Sequence, residues 1–179
     1  MSKYTIDIET NNLLSNMLDF TSLPYKLNTE AKLYCVVIRN IDTDEVSFAV
    51  GSEVTTEWLK TTLTDATEII LHNGIKFDLI ALKLFGVLDY EVGYLDREDK
   101  LFGKPVKIVD TLVRSRLLNP DRYGGHSLKA WGVALGEHKG DYTDFSHYNE
   151  EMLDYCKQDT KVTSLIYKTL ANEYDSYEG

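Results

Sequence analysis

Three short strings, far apart but in a fixed order, limit what this chain can fold into: IDIET at 6–10, HNGIKFD at 72–78 and YCKQD at 155–159. The first carries Asp7 and Glu9, the second Asp78, and the third Asp159 with Tyr155 one helical turn before it. Asp7 and Glu9 lie in the alternating run KYTIDIE, which as a strand turns both acids to one face and Ile6 and Ile8 to the other. Acids interleaved with core-seeking residues need something positive to offset their desolvation. To serve one site, the strings require a fold that brings the first strand, a mid-chain turn and the last helix together.

Each string alone has an ordinary reading. An Asp-x-Glu pair is usually a solvated strand end, Tyr155 and Asp159 at i, i+4 a surface pair, and Asp78 a charge that suits a helix start. Jointly they suit different chemistry. Four carboxylates and a phenol fit phosphodiester hydrolysis by a pair of divalent cations, because Mg²⁺ takes oxygen ligands and leaves room for substrate phosphate.

The rest of the chain supplies a scaffold. LYCVVIRN (33–40), EVSFAVG (45–51), TEIILH (67–72) and VKIVD (106–110) read as further strands. Helices are expected over 55–64, from Gly74 to Gly86, over TLVRSRLL behind an Asp110 cap, over SLKAWGVALG from Ser127 to Gly136, and as a long final helix capped by Asn149. The segment VGYLDREDKLFGKP (92–105) reads as an exposed irregular loop. Strands first, then helices alternating with strands, predict an α/β domain with a mixed sheet. At 179 residues the chain is the size of one domain, 1–179.

Charge narrows the function. The net charge of −10 opposes broad electrostatic attraction to nucleic acid and argues against a high-affinity duplex binder. It is compatible with an enzyme that grips a few nucleotides at a strand end, where bound metals invert the local field. No apolar run approaches the roughly 20 residues of a membrane span, and the N-terminus lacks signal-peptide character, so the expected location is cytoplasmic. Cys35 and Cys156, in no metal-like spacing, read as free thiols.

The three strings resemble the motifs of the DEDD 3′–5′ exonucleases, in the subgroup with tyrosine in the third motif. Asp7-Ile8-Glu9 matches the first motif, Asn73 to Phe77-Asp78 the second, and Tyr155 to Asp159 the third. DTLVRSRL, HSLKAWGVALGEHKGDY and NEEMLDYCKQDTKVT are similar to the proofreading domain of phage-type family A DNA polymerases, so the resemblance runs from about residue 4 to 170. It implies an RNase H-like fold with a mixed sheet of about five strands flanked by helices. It also implies catalytic roles for Asp7, Glu9, Asp78, Tyr155 and Asp159, with two divalent ions, Mg²⁺ or Mn²⁺, held by the four carboxylates. Asp7, Glu9 and Asp159 would hold one ion, Asp7 would bridge to the second, and Asp78 would support it. Tyr155 and Glu9 would orient the attacking water. The implied reaction removes nucleoside 5′-monophosphates from the 3′ end of DNA, a single strand or frayed primer end, in proofreading or DNA degradation.

By the same resemblance Thr10 and Asn73 touch the terminal nucleotide and Leu13 is an apolar wedge between the last two bases. Their ordinary readings are a strand end, a turn and a core residue. His126 reads as a turn residue, and Trp58 and Trp131 as core. The connection from Asp141 to Asn149 is shorter than in some phage relatives. A family A polymerase continues into palm, fingers and thumb, for which this chain has no room, so three readings stand: a free-standing exonuclease acting on single-stranded DNA 3′ ends, a subunit beside a separately encoded DNA polymerase, or a piece cut from a longer chain. Two rivals stand beside this reading: an exoribonuclease resembling RNase D, separable by contact with the 2′-OH, and a non-catalytic docking module, which is expected to lose metal ligands.

Overall fold

The computed structural model describes residues 1–74, 77–95, 97–137 and 142–178. Ser2–Thr10 forms β1, the middle strand of a five-stranded sheet. Leu33–Asn40 (β2) pairs antiparallel with it, and Val46–Val50 (β3) pairs antiparallel with β2 at that edge. Thr56–Thr62 (α1) leads into Ala66–Leu71 (β4), which runs parallel to β1 on its other side. Asp78–Leu84 (α2) follows, and Lys107–Asp110 (β5) completes the sheet parallel to β4. The order is β5-β4-β1-β2-β3, a mixed sheet with β4 parallel to both β1 and β5 and β2 antiparallel to both β1 and β3. Thr111–Leu118 (α3), Leu128–Leu135 (α4) and Glu150–Glu178 (α5) follow.

The helix boundaries are set by the expected side chains. Asp110 accepts the Leu112 N–H at 3.0 Å, Ser127 the Ala130 N–H at 3.0 Å, and Asn149 the Met152 N–H at 2.8 Å. Gly136 closes α4 in the left-handed region at φ 72°.

Strand alternation divides the molecule. Ile6, Ile8, Val36, Ile38, Ile69 and Leu71 face a core built with α1 and α2, including Leu59, Leu79 and Leu82. The opposite face carries α5: Cys35 and Val37 meet Leu153 and Cys156, while Val162, Ile166 and Leu170 pack on Trp131 of α4. Trp131 is therefore core, and Trp58 is half-buried against the first cluster. Among the described residues, no helix is long and apolar enough to cross a membrane.

Two segments differ from expectation. Residues 92–105 are not simply an exposed loop. Tyr90–Glu91, Lys100–Leu101 and Lys104–Pro105 form a small three-stranded sheet, with Tyr90 and Leu101 buried. Its turn uses Phe102 and Gly103, both at positive φ, the backbone that two-residue hairpins need. Strands of two residues are too short to leave a readable alternation. Helix α2 also begins at Asp78 rather than near Gly74; Ile75 and Lys76 lie outside the described residues, as do Asp96, all of His138 to Asp141, and Gly179.

Candidate active site

The odd residues of β1 point at α5. Thr5 is fully buried, with its hydroxyl 3.4 Å from the Thr160 carbonyl, and Asp7 and Glu9 follow on the same face towards the strand's open end. Register between β1 and β2 shifts between Glu9 and Thr10, an irregularity that ends regular pairing where the last acid projects. Helix α5 is clamped to β2 by the buried Arg39, which donates to the Thr160 hydroxyl at 3.2 Å and the Lys157 carbonyl at 3.2 Å. Arg39 also pairs with Asp44 at 2.8 Å. That clamp fixes the turn carrying Tyr155 and Asp159. Asp159 thereby stands beside Asp7, close enough for its charge to act on it.

Asp78 arrives by a tight turn. Asn73 adopts φ 63°, and its N–H donates to Asp110 at 2.9 Å, so one carboxylate ties this turn to the start of α3. Gly74 packs so closely on Leu71 that a Cβ there would lie 2.5 Å from that side chain. The turn leaves Asp78 as the first residue of α2, only 8% exposed.

The four acids sit in one another's fields. Burial, then the negative charges of Asp159, Asp78 and Glu9, push Asp7 well above the usual carboxylate range. Glu9 is pushed up to about 9 by burial, followed by the charge of Asp159. Asp78 rises through burial and the charges of Asp110 and Asp159, and Asp159 rises to about 7 through burial. Among the described residues, no lysine or arginine pairs with any of the four. Carboxylates gathered without a cation, from three separate elements, are what a divalent ion stabilises, and an all-oxygen set suits Mg²⁺ or Mn²⁺. Asp7, Glu9 and Cys156 also bring their ligand atoms within 4.8 Å of one another.

Beside Glu9 lies a cleft of about 320 Å³, lined by Ile8, Glu9, Thr10, Leu13, Phe77 and Phe145 among others. Leu13 stands at its wall 68% exposed, so it is not the core residue of its ordinary reading. Thr10 is buried, ends β1 and donates to the Asn12 carbonyl at 2.8 Å. Asn73 is exposed and does not line this cleft. Tyr155 is half-buried, its ring 5.9 Å from Tyr142, which in turn meets Phe145 edge-on at 5.4 Å. The Phe145 carbonyl accepts the Tyr34 hydroxyl at 2.8 Å, fixing that wall.

Phe77 was matched to the second motif but given no role, and three other contributors escaped sequence reasoning. Phe145 lies in the connection before the last helix, where an aromatic residue reads equally as core. Asp110 was legible as a cap, not as the anchor of the Asn73 turn. Cys156 remains a free thiol, yet it is buried and lies 3.3 Å from Asp7 Oδ2 with Cys35 at its other side. His126 is held by Ser115 at 2.6 Å and the Pro120 carbonyl at 3.0 Å, which fits its reading as a turn residue.

DNA-directed DNA polymerases of Enterobacteria phage T3 and Escherichia phage T7 are each 29% identical over 204 residues, covering 93% of this chain and 26% of theirs. The chain thus spans about a quarter of the length of these relatives. Among solved structures, Brucella melitensis NrnC with bound Mg²⁺ gives a TM-score of 0.63 at 19% identity, over 99% of this chain and 76% of that one. The family B DNA polymerase of the hyperthermophilic archaeon Pyrobaculum calidifontis gives 0.61 at 15% identity, over 95% of this chain and 24% of that one. At such identities the likeness is one of fold, and the fold is RNase H-like, that of exonuclease and proofreading domains. The family model described as 3′–5′ exonuclease matches residues 3–175, and the chain belongs to that 3′–5′ exonuclease family.

Proposed function

We propose that this chain is a metal-dependent exodeoxyribonuclease that removes nucleoside 5′-monophosphates from the 3′ end of DNA, single-stranded or frayed. The observation that carries the proposal is the convergence of Asp7, Glu9, Asp78 and Asp159 from three elements, with no lysine or arginine among the described residues paired to any of them. Asp7, Glu9 and Asp159 would hold one divalent ion, and Asp7 with Asp78 a second. Bound there, two such ions supply Lewis acidity for the attacking water and for the leaving 3′ oxygen.

The chain's own residues do the positioning. The Tyr155 hydroxyl and the Glu9 carboxylate orient the attacking water by hydrogen bonds. Leu13, Phe77 and Phe145 give the terminal nucleotide an apolar berth, and Thr10 closes its floor. DNA is favoured by the phage DNA polymerases that share most of this chain's length. The chain acts as an exonuclease domain in the cytoplasm, of the host if phage-encoded, and serves DNA replication proofreading or DNA degradation.

The test is a time course on a 5′-labelled single-stranded DNA with Mg²⁺, Mn²⁺ or EDTA, alongside RNA of the same sequence. A metal-dependent ladder shrinking from the 3′ end of DNA is expected. Faster loss of RNA would move the activity to the ribonuclease branch, and cleavage of neither would leave a docking module.

Tyr155→Phe removes one hydroxyl and no metal ligand. Its kcat should fall about 10- to 100-fold, the low end of what a positioned proton-transfer partner contributes, while the Mg²⁺ concentration for half-activity stays the same. A shift in that concentration would instead place Tyr155 among the metal ligands.

A further inference from the structure

Between Thr10 and Leu33 the chain leaves the sheet beside the acidic site and returns to it. Asn11 holds the root of this excursion: its N–H donates to the Lys32 carbonyl at 3.1 Å, its amide to the Glu30 carbonyl at 2.8 Å, and its Oδ1 accepts the Lys32 N–H at 2.8 Å. Leu13, at the cleft wall, leads through one helical turn (Leu14–Met17), about 6 Å of rise, into a hairpin that pairs Leu18–Asp19 with Lys26–Leu27. The hairpin is anchored as well as attached. Met17 is fully buried, its carbonyl accepts the Asn28 N–H at 2.6 Å, and the Asn28 amide reaches the Asn16 carbonyl at 2.9 Å.

This ordered support turns apolar groups outward. Phe20 is 63% exposed, Leu23 85% and Tyr25 48%, with the Phe20 and Tyr25 rings edge to face at 5.4 Å. An exposed cluster of this kind is a candidate contact surface, and Leu13, at the wall of the nucleotide cleft, precedes the hairpin by a single helical turn. The net charge of −10 leaves little for phosphate attraction, whereas stacking on aromatic rings holds bases without charge and without sequence preference.

We propose that Phe20, Leu23 and Tyr25 form a stacking platform for unpaired bases next to the 3′-terminal nucleotide, so that this chain grips single-stranded nucleic acid chiefly by stacking. The proposal rests on the exonuclease reading of the adjoining site. It predicts a preference for substrates long enough to leave the cleft and reach the hairpin.

The test compares the parent with Phe20→Ala/Tyr25→Ala, each in an Asp7→Ala/Glu9→Ala background in EDTA, by fluorescence anisotropy of a labelled single-stranded decanucleotide. Kd should rise by about five- to a hundredfold, the span measured for stacked bases, with an unchanged slope of log Kd on log salt. In the active protein, the ratio of kcat/KM for a decanucleotide over a dinucleotide should fall by a similar factor. Leu23→Ser, at the most exposed of the three positions, gives a second and milder variant. A Kd within twofold of the parent, or equal losses on both substrates, overturns the platform. So does unchanged binding accompanied by altered self-association in sedimentation, which would assign the patch to protein contact. Whether the parent hydrolyses DNA is scored separately, so an inactive enzyme and an absent platform give different results.

Discussion

Replacing Asp7 and Glu9 together by alanine should leave a folded protein whose DNA hydrolysis is slower by at least about a thousandfold. Lewis-acid stabilisation is worth several kcal/mol, and each 1.36 kcal/mol is tenfold in rate. The two side chains point away from the Ile6 and Ile8 core, so removing them opens no cavity there. They also repel Asp159 and Asp78, so the metal-free variant should melt several degrees higher than the parent. Circular dichroism and a thermal melt check the fold, and the oligonucleotide time course checks the rate. Hydrolysis at the parental rate would place the active site elsewhere.

The second large effect is on stability. In EDTA the protein should lose thermal stability as pH rises from 7 to 8.5, and saturating Mg²⁺ should abolish most of that loss. Unfolded carboxylates titrate near 4 and are fully ionised in this window. In the folded protein Glu9 titrates at about 9 and Asp159 at about 7, and Asp7 and Asp78 are also raised. The folded state therefore binds more protons than the unfolded state, and stability falls with pH until the raised groups have ionised. Burial shifts His72 downward, which acts in the opposite sense, but that contribution is complete once pH exceeds its unfolded value near 6.5. The Asp7→Ala/Glu9→Ala variant should show a flatter profile and a smaller response to Mg²⁺. Thermal midpoints measured across the window decide it: a flat profile for the parent in EDTA would mean that the four acids do not press on one another.

Much of this site was legible because its parts are local. Asp7 and Glu9 share a face by strand alternation, and Tyr155 and Asp159 by helical spacing. The caps at Asp110, Ser127 and Asn149 act within three residues of themselves, and all three hold. The small sheet over 90–105 was not legible, because its strands are two residues long and its buried side chains, Tyr90 and Leu101, stand eleven residues apart.

The sequence by itself determined the ligand types, their order and the local face each occupies, since the periods of strand and helix are properties of the backbone. Only the tertiary structure decided that these faces meet. Arg39 holds α5 against β2, so Asp159 reaches Asp7 across more than 150 residues of chain. Asp110 and the close approach of Gly74 to Leu71 deliver Asp78 to the same place. Phe145 and Phe77 acquire their positions at the cleft in the same way. Such contacts depend on long-range packing between elements, which leaves no periodic trace in the chain.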